Sequence, residues 1–309
     1  YDIKESLVGH WKLNETSGAT AANAIAGGSP GNVTGTSSWG AGRIANAFNF
    51  DMATYMLVDN FTKANDAIAG CAWVKMDPNA PGTMAVFRNG HSDFNATGGD
   101  LKVLGQFELG ILDVGGELRP TAAVGNSPNL PRATGSAGLS VDEWHHLAFS
   151  ADGAQLRLYV NGAQVASTDY LGLINDAHMD WISIGARLVV DTNTPPAIPD
   201  ATTPAYFWGS IDDIGLWTRA LTANEVSKIY QAGMAGQDLE TVVIEPPTEM
   251  EFTGVTKNAD GSITIEWTGG GTLQVTTDIG SGVWQSVDGA TSPYTFTPTA
   301  AAMFGRIMQ

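Results

Sequence analysis

The sequence has a single cysteine, Cys71, so no disulfide can form within the chain and the fold must rest on packing. Charged residues make up 15% of the chain, compared with about a quarter in an average protein. Basic residues are fewer than acidic ones: the chain has 15 Lys and Arg but 32 Asp and Glu, which gives a formal net charge of −17. This charge repels nucleic acid, and no apolar run approaches the roughly 18 residues of a membrane-spanning helix. We therefore expect no nucleic-acid partner and no membrane insertion.

Two common catalytic motifs are also missing. The histidines show no His-Glu-x-x-His spacing, and no phosphate-binding glycine loop is present; the histidines are His10, His91, His145, His146 and His178. His145 and His146 are neighbours on a predicted strand, so their side chains point to opposite faces and cannot share a metal ion. Cys71 lies in the apolar run 69–74, which predicts a buried, inert thiol. We expect structural roles for His145, His146 and Cys71.

Glycine is abundant, at 37 of 309 residues, and alternation of apolar and polar residues between turn signals predicts an all-β protein. The clearest strands, 144–149, 156–160 and 164–167, are joined by Asp-Gly and Asn-Gly dipeptides, which favour the left-handed backbone of tight hairpins. One helix is predicted over 221–230, because Thr222 and Glu225 have capping-box spacing and Gly233 follows as a stop.

The sequence predicts two domains. Acidic residues and the pair Pro246-Pro247 predict a linker over 237–251, between a domain at 1–236 and a second at 252–309. Four short alternating segments in the second domain predict a small β-sandwich. The apolar run 300–308 is interpreted either as the last strand of that domain or as a strand lent to a neighbouring subunit.

Five blocks carry a family resemblance, at residues 9–18, 42–51, 144–148, 158–162 and 209–221. In this order they resemble the concanavalin-A-like, laminin-G-like jelly roll of secreted bacterial proteins. The resemblance implies two stacked antiparallel sheets of six or seven strands each, as in adhesins and lectin-like modules. The second domain is similar to small fibronectin-like domains. Relatives that hydrolyse glucans carry a Glu-x-Asp-x-x-Glu strand, which is absent here, so we expect no enzyme activity.

The resemblance also suggests calcium as a cofactor. Its ligands would come from an N-terminal loop, where Asn23 stands in place of the usual aspartate, and from Asp51 and Asp212 at the same edge of the sandwich. Calcium prefers such oxygen ligands, and an acidic chain attracts the ion. Asp51 and Asp212 suit an alternative role equally well, as acceptors of backbone hydrogen bonds in turns.

Several features are typical of carbohydrate binding. Trp39, Trp181, Trp208 and Trp217 are candidates for stacking on sugar rings, although most tryptophans of a sandwich face its core. The segments 89–95 and 190–200 are long and polar, as binding loops and plain connections both are.

The sequence as a whole predicts a non-enzymatic structural or adhesive protein, located extracellularly or at the cell surface. The chain begins at Tyr1 rather than at methionine, and we expect a processed, secreted product. The predicted partner is a further copy of the chain, in an oligomer or polymer built through residues 252–309. The alternative is a carbohydrate-binding, lectin-like module that uses calcium.

Overall fold

The computed structural model of the protein describes residues 2–90, 105–126, 129–174, 180–189, 198–244, 251–300 and 302–308. The chain divides into two compact units, Asp2–Ile244 and Glu245–Gln309. No helix in these described ranges is long and apolar enough to span a membrane.

Strands dominate the first unit, and a helix follows them. In chain order they are β1 (Leu7–Trp11), β2 (Thr20–Ala21), β3 (Gly31–Thr34), β4 (Trp39–Ala41), β5 (Asn46–Asp51), β6 (Tyr55–Asp59), β7 (Ile68–Met76), β8 (Met84–Asn89), β9 (Phe107–Val114), β10 (Glu117–Val124), β11 (Arg132–Thr134), β12 (Trp144–Ala151), β13 (Gln155–Val160), β14 (Ala163–Asp169), β15 (Trp181–Ile184), β16 (Leu188–Val189), β17 (Ile198–Pro199), β18 (Trp208–Trp217) and α1 (Ala223–Met234).

Sixteen of these strands form two antiparallel eight-stranded sheets, which confirms the predicted all-β sandwich with slightly larger sheets than expected, and β16 pairs separately with β17. The first sheet has the order β14-β13-β12-β7-β18-β5-β4, with β1 beside β18. The second sheet has the order β11-β10-β9-β8-β15-β6-β3-β2. The predicted meander is β12, β13 and β14, which pair in sequence.

The main core lies between the sheets, where alternate residues of each strand meet. Phe48 and Phe149 of the first sheet and Phe87 and Phe107 of the second are all buried in it. Strand β7 is apolar at nearly every position because both of its faces are covered. One face contributes to the main core, and the opposite face packs in a second cluster with residues of α1.

Helix α1 is capped at Thr222 as predicted, but it begins two residues later and ends four residues later than the predicted range 221–230. The Thr222 side chain accepts a hydrogen bond from the Glu225 amide, and the Glu225 carboxylate accepts one from Thr222, which completes the capping box. Gly233 does not stop the helix, which continues to Met234. A Cβ atom at this position would collide with the Trp73 indole, so the glycine permits close packing on the sheet.

The first unit extends beyond the predicted boundary at residue 236. Residues 237–244, predicted as the start of a linker, include the short 3-10 helix Leu239–Thr241. Leu239 is fully buried in the cluster under α1, and Lys12 donates a hydrogen bond to Asp238 at 2.8 Å. The acidic residues that suggested a linker are thus ion-pair partners of the sandwich.

The second unit consists of two small sheets. Its strands are β19 (Glu251–Lys257), β20 (Ile263–Thr268), β21 (Thr272–Thr276), β22 (Gln285–Ser286), β23 (Tyr294–Phe296) and β24 (Phe304–Met308). One sheet has the order β19-β20-β23 and the other β22-β21-β24, around a small core of Ile265, Trp267 and Leu273. The apolar C-terminal run forms β24, paired with β21, which confirms the first of its two interpretations.

Candidate functional site

The strand register separates two of the three predicted calcium ligands. Asp51 lies opposite Trp208 in the ladder between β5 and β18, whereas Asp212 lies four residues further along β18. Four residues of a strand span about 13 Å, whereas ligands of one calcium ion lie within about 2.6 Å of it. The strand register therefore does not bring the two carboxylates next to each other, and the shared calcium site stays a prediction.

Each predicted ligand has a structural partner instead. Asp51 accepts a hydrogen bond from the Ala53 amide, and Asp212 accepts one from the Ile44 amide at 2.8 Å. Asn23 accepts bonds from the amides of His10 and Ile25. Within the described parts of the chain, no three His, Cys, Asp or Glu residues are grouped as metal ligands. Calcium binding at any one of these residues stays a prediction.

Asp212 is fully buried, and its burial raises the pKa of the carboxyl to about 8. The adjacent Asp213 adds to this shift, while the amides of Ile44 and Arg43 oppose it. This shift favours the protonated form of the carboxyl.

The other predicted structural residues are inaccessible. Cys71 and His146 are 0% exposed, and burial lowers the pKa of His146 to about 3. His145 is 7% exposed, and its ring nitrogen Nε2 bonds the Ser140 carbonyl. His91 and His178 lie outside the described residues, as do most of the two candidate loops, 89–95 and 190–200.

A charged cluster on the second sheet was not predicted. Glu108 on β9 lies 3.3 Å from Arg88 on β8 and 3.2 Å from Arg132 on β11. Glu108 and Arg88 are 2% and 1% exposed, so this network is internal. The polar positions of β8 and β9 are the only sequence signal for it.

Of the four candidate tryptophans, Trp208 lies in a cleft. Trp217 is fully buried and Trp181 is 5% exposed, so neither ring offers a face to a ligand. Trp39 packs its ring edge-on against Phe48 and donates a hydrogen bond to the Gly18 carbonyl. Trp208 is only partly buried, and no other aromatic ring in the described ranges contacts it.

The cleft around Trp208 lies at one end of the first sheet and encloses about 260 Å³. We call it the Trp208 cleft; its lining is Asn49, Phe50, Lys75, Met76, Asp77, Pro78, Asp142, Trp208, Gly209 and Ser210. Ser210 on β18 pairs with Lys75 on one side and with Asn49 on the other, so all three side chains share the outer face. Helix α1 reaches the same face at Trp73, two residues before Lys75, and leaves the end of the sheet open.

Hydrogen bonds fix the polar side chains of the cleft. The Ser210 hydroxyl donates to Asn49 Oδ1 at 2.7 Å, which leaves the Asn49 amide nitrogen to point elsewhere. Neither that nitrogen nor the Trp208 indole nitrogen donates a hydrogen bond among the described residues. Lys75 Nζ lies 3.4 Å from Asp142 Oδ1, in a pair that is 35% and 69% exposed. The Asn49 amide nitrogen lies toward Gly40 on β4, so the cleft combines the Trp208 ring with the hydrogen-bonded Ser210–Asn49 pair.

The backbone also holds the cleft in place. The Asp77 amide donates to the Trp208 carbonyl at 3.0 Å, and the Asp142 amide donates to the Met76 carbonyl at 2.8 Å. Gly209, at φ 134°, lets β18 approach the Lys75 carbonyl so closely that no Cβ atom would fit. A preformed cleft with an aromatic wall and a few fixed polar groups is typical of small-molecule and sugar sites.

The sequence indicated Trp208 but not its neighbours. Asn49, Lys75, Asp142 and Ser210 come from separate segments, and only the strand register brings them together. Their polar character within or beside apolar strands is the one signal that the sequence offers.

Comparison with known proteins supports the fold. No curated protein sequence matches the chain significantly. The binding domain of Paraclostridial mosquitocidal protein 1 has a TM-score of 0.52 at 11% identity, over 97% of this chain and 73% of that one. The receptor-binding domain of botulinum neurotoxin mosaic serotype C/D has a TM-score of 0.51 at 12% identity, over 85% of this chain and 62% of that one.

Trypanosoma rangeli sialidase in complex with sialic acid has a TM-score of 0.50 at 12% identity, over 75% of this chain and only 34% of the sialidase. At such identities these likenesses show the fold alone. The sequence model Laminin_G_3, described as the concanavalin A-like lectin/glucanases superfamily, matches residues 50–227. Since the match covers more than half of the chain, the protein belongs to the concanavalin A-like lectin/glucanases superfamily.

Proposed function

We propose that the first unit binds carbohydrate in the Trp208 cleft, as an extracellular module without catalytic activity. The observation that carries this proposal is the juxtaposition of a partly exposed indole ring with the hydrogen-bonded Ser210–Asn49 pair in one cleft. Sugars present apolar C–H faces to aromatic rings and hydroxyls to fixed donors and acceptors. A family named for lectins as well as glucanases supports the same ligand class.

We favour carbohydrate binding over carbohydrate hydrolysis. Asp77 and Asp142 both line the cleft, so hydrolysis is the direct alternative. A glycosidase needs one carboxylic acid in an apolar site that keeps its proton. Asp142 is instead 69% exposed beside Lys75, and Asp77 Oδ1 accepts two hydrogen bonds from Asn79.

The test is a binding screen of neutral and charged oligosaccharides with the full chain, followed by titration of the best ligand. Trp208→Ala should weaken binding about tenfold, which corresponds to about 1.4 kcal/mol. Trp284→Ala is the matched control, since it removes a partly exposed tryptophan of the second unit. If Trp208→Ala is poorly folded, Asn49→Ala serves instead. Unchanged affinity in both folded variants would contradict the proposal, and release of reducing ends would show an enzyme.

Self-association through the second unit is the second candidate function, and a groove in that unit favours it. The groove encloses about 350 Å³ and is lined by Phe252, Val255, Ile263, Ile265, Val275, Phe296, Met303, Phe304 and Gly305. Its two flanking strands, β19 and β24, are edge strands of the two small sheets. Val255 and Phe304 are 69% and 38% exposed, and unpaired edges beside apolar side chains readily accept another strand.

This second candidate predicts filaments or discrete oligomers of the purified chain. Val255→Lys should abolish them, because it places a charge in the groove at an exposed position that the fold does not need. Thr256→Lys is the control, since the neighbouring residue of a strand points to the other face. A concentration series in the analytical ultracentrifuge and negative-stain images provide the readout. A wild-type monomer at high concentration, or assembly of Val255→Lys, would refute this function.

A further inference from the structure

The Trp208 cleft is acidic. Asp77 and Asp142 line it, and Asp51 is an exposed residue directly opposite Trp208 in the ladder. Lys75 is the cation among the lining residues. The formal charge of this group is therefore negative, and the charge of −17 on the whole chain adds to the same potential.

Each of the three carboxylates keeps one oxygen available. Asp51 uses Oδ1 to accept from the Ala53 amide, and Asp77 uses Oδ1 to accept from Asn79. Asp142 contacts Lys75 through Oδ1, at a distance longer than a good charge-assisted hydrogen bond. No partner of the three Oδ2 atoms occurs in the described ranges, so each is open to a donor from a ligand.

The indole of Trp208 strengthens the preference for a cation. A cation over an aromatic face is attracted by the ring quadrupole, and tryptophan is the best such partner. An anionic sugar would meet the carboxylates of Asp77 and Asp142 in the cleft and that of Asp51 nearby, and a neutral one would leave their free oxygens without a charged donor.

From this arrangement, and resting on the proposed function, we propose that the Trp208 cleft selects amine-bearing sugars, such as a glucosamine unit with a free, protonated amine. The ammonium group donates to the carboxylates while the apolar face of the same ring lies on Trp208. The hydrogen-bonded Ser210–Asn49 pair then bonds a ring hydroxyl. An N-acetylated sugar has the same ring without the charge, so it should bind more weakly.

The experiment compares the disaccharide of glucosamine with its N,N′-diacetylated form by calorimetric or NMR titration of the full chain, at low and at high salt. At low salt the amine form should bind about tenfold more tightly, and the difference should shrink as salt screens the charges. Asp142→Asn and Asp77→Asn should each weaken the amine form about two- to fivefold and leave the acetylated form unchanged.

Asp66→Asn is the matched control, because this exposed carboxylate lies just before β7, at the end opposite Lys75. Binding of the two disaccharides with equal affinity would overturn the amine preference while the carbohydrate function stands. An equal loss in Asp66→Asn would also overturn it, since attraction by the overall charge would then explain the difference. Binding of no sugar, or binding unchanged by Trp208→Ala and Asn49→Ala, would instead remove the proposed function itself.

Discussion

His10 Nε2 lies 2.6 Å from Asp213 Oδ1 in the interior of the first unit, where the two side chains are 0% and 3% exposed. The other ring nitrogen, Nδ1, lies 2.8 Å from Glu240 Oε1, so the imidazole joins β1, β18 and the 3-10 helix. Burial by itself lowers the pKa of His10, but the bonds and charges of Asp213 and Glu240 outweigh it and hold the pKa above 6.5. The folded unit therefore favours the protonated ring.

The first prediction follows from the sign of this shift. A folded-state pKa above the unfolded value of 6.5 gives stability that is complete below pH 6.5 and is lost as the pH rises through the folded pKa. Removing one partner of a buried pair costs about 3 kcal/mol, so His10→Gln should be destabilised by roughly that amount at pH 5.5. The difference from wild type should shrink toward pH 9 in denaturant unfolding. A constant difference would show that His10 acts only by packing.

The second prediction concerns Asp212, whose pKa burial raises from 3.8 to about 8. Between these values the folded state keeps a proton that the unfolded state has released, so folding loses about 1.4 kcal/mol per pH unit. Asp212→Asn mimics the protonated carboxyl. It should match wild type near pH 4 and be more stable by a few kcal/mol at pH 8. A variant that is less stable than wild type at pH 8 would show that an ionised Asp212 is required.

The alternation of residues was sufficient to predict the meander and the sandwich, because the turns Asp152-Gly153 and Asn161-Gly162 constrain register locally. The capping box of α1 was predictable for the same reason, since Thr222 and Glu225 are close in sequence. Features that depend on distant pairing were not. The register that separates Asp51 from Asp212 arises between β5 and β18, about 160 residues apart in the chain.

Burial of polar residues was the other source of error. In the sequence, Asp238 and Glu240 have the character of solvated linker residues. In the structure they form ion pairs with Lys12 and His10, which lie near the beginning of the chain. Similarly, Gly233 looks like a helix stop, whereas its role depends on the Trp73 ring beneath it. In each case a partner that is remote in sequence determines the role.

The third prediction concerns Cys71, which is fully buried on the face of β7 that α1 covers. Burial is the main cause that raises the pKa of this thiol well above its ordinary value of 9.0. Since the thiolate is the reactive form, iodoacetamide at pH 8 should leave native protein unlabelled while it alkylates N-acetylcysteine. In denaturant the same protein should gain one label by mass spectrometry. Rapid labelling without denaturant would show that α1 opens readily.

The last prediction concerns Gly70, which is the third residue of β7 and faces the core between the sheets. A Cβ atom there would lie 2.6 Å from Phe87 Cζ and 2.8 Å from Phe149 Cε1, closer than real carbon contacts. These two rings lie 6.4 Å apart by their centroids, and Phe107 stacks on Phe149 at 5.6 Å, so neither ring can move without disturbing the next.

Gly70→Ala should therefore destabilise the first unit by about 1–3 kcal/mol, the usual cost of overpacking a filled core. Gly138→Ala is the matched control, because its new Cβ would have no neighbour closer than 3.5 Å and its backbone is not left-handed. Denaturant unfolding followed by tryptophan fluorescence measures both variants. If the two variants lose equal stability, loss of glycine rather than crowding is responsible. Phe149→Leu should destabilise the Gly70→Ala variant less than it destabilises the wild type. That result would confirm that the new methyl group collides with the Phe149 ring.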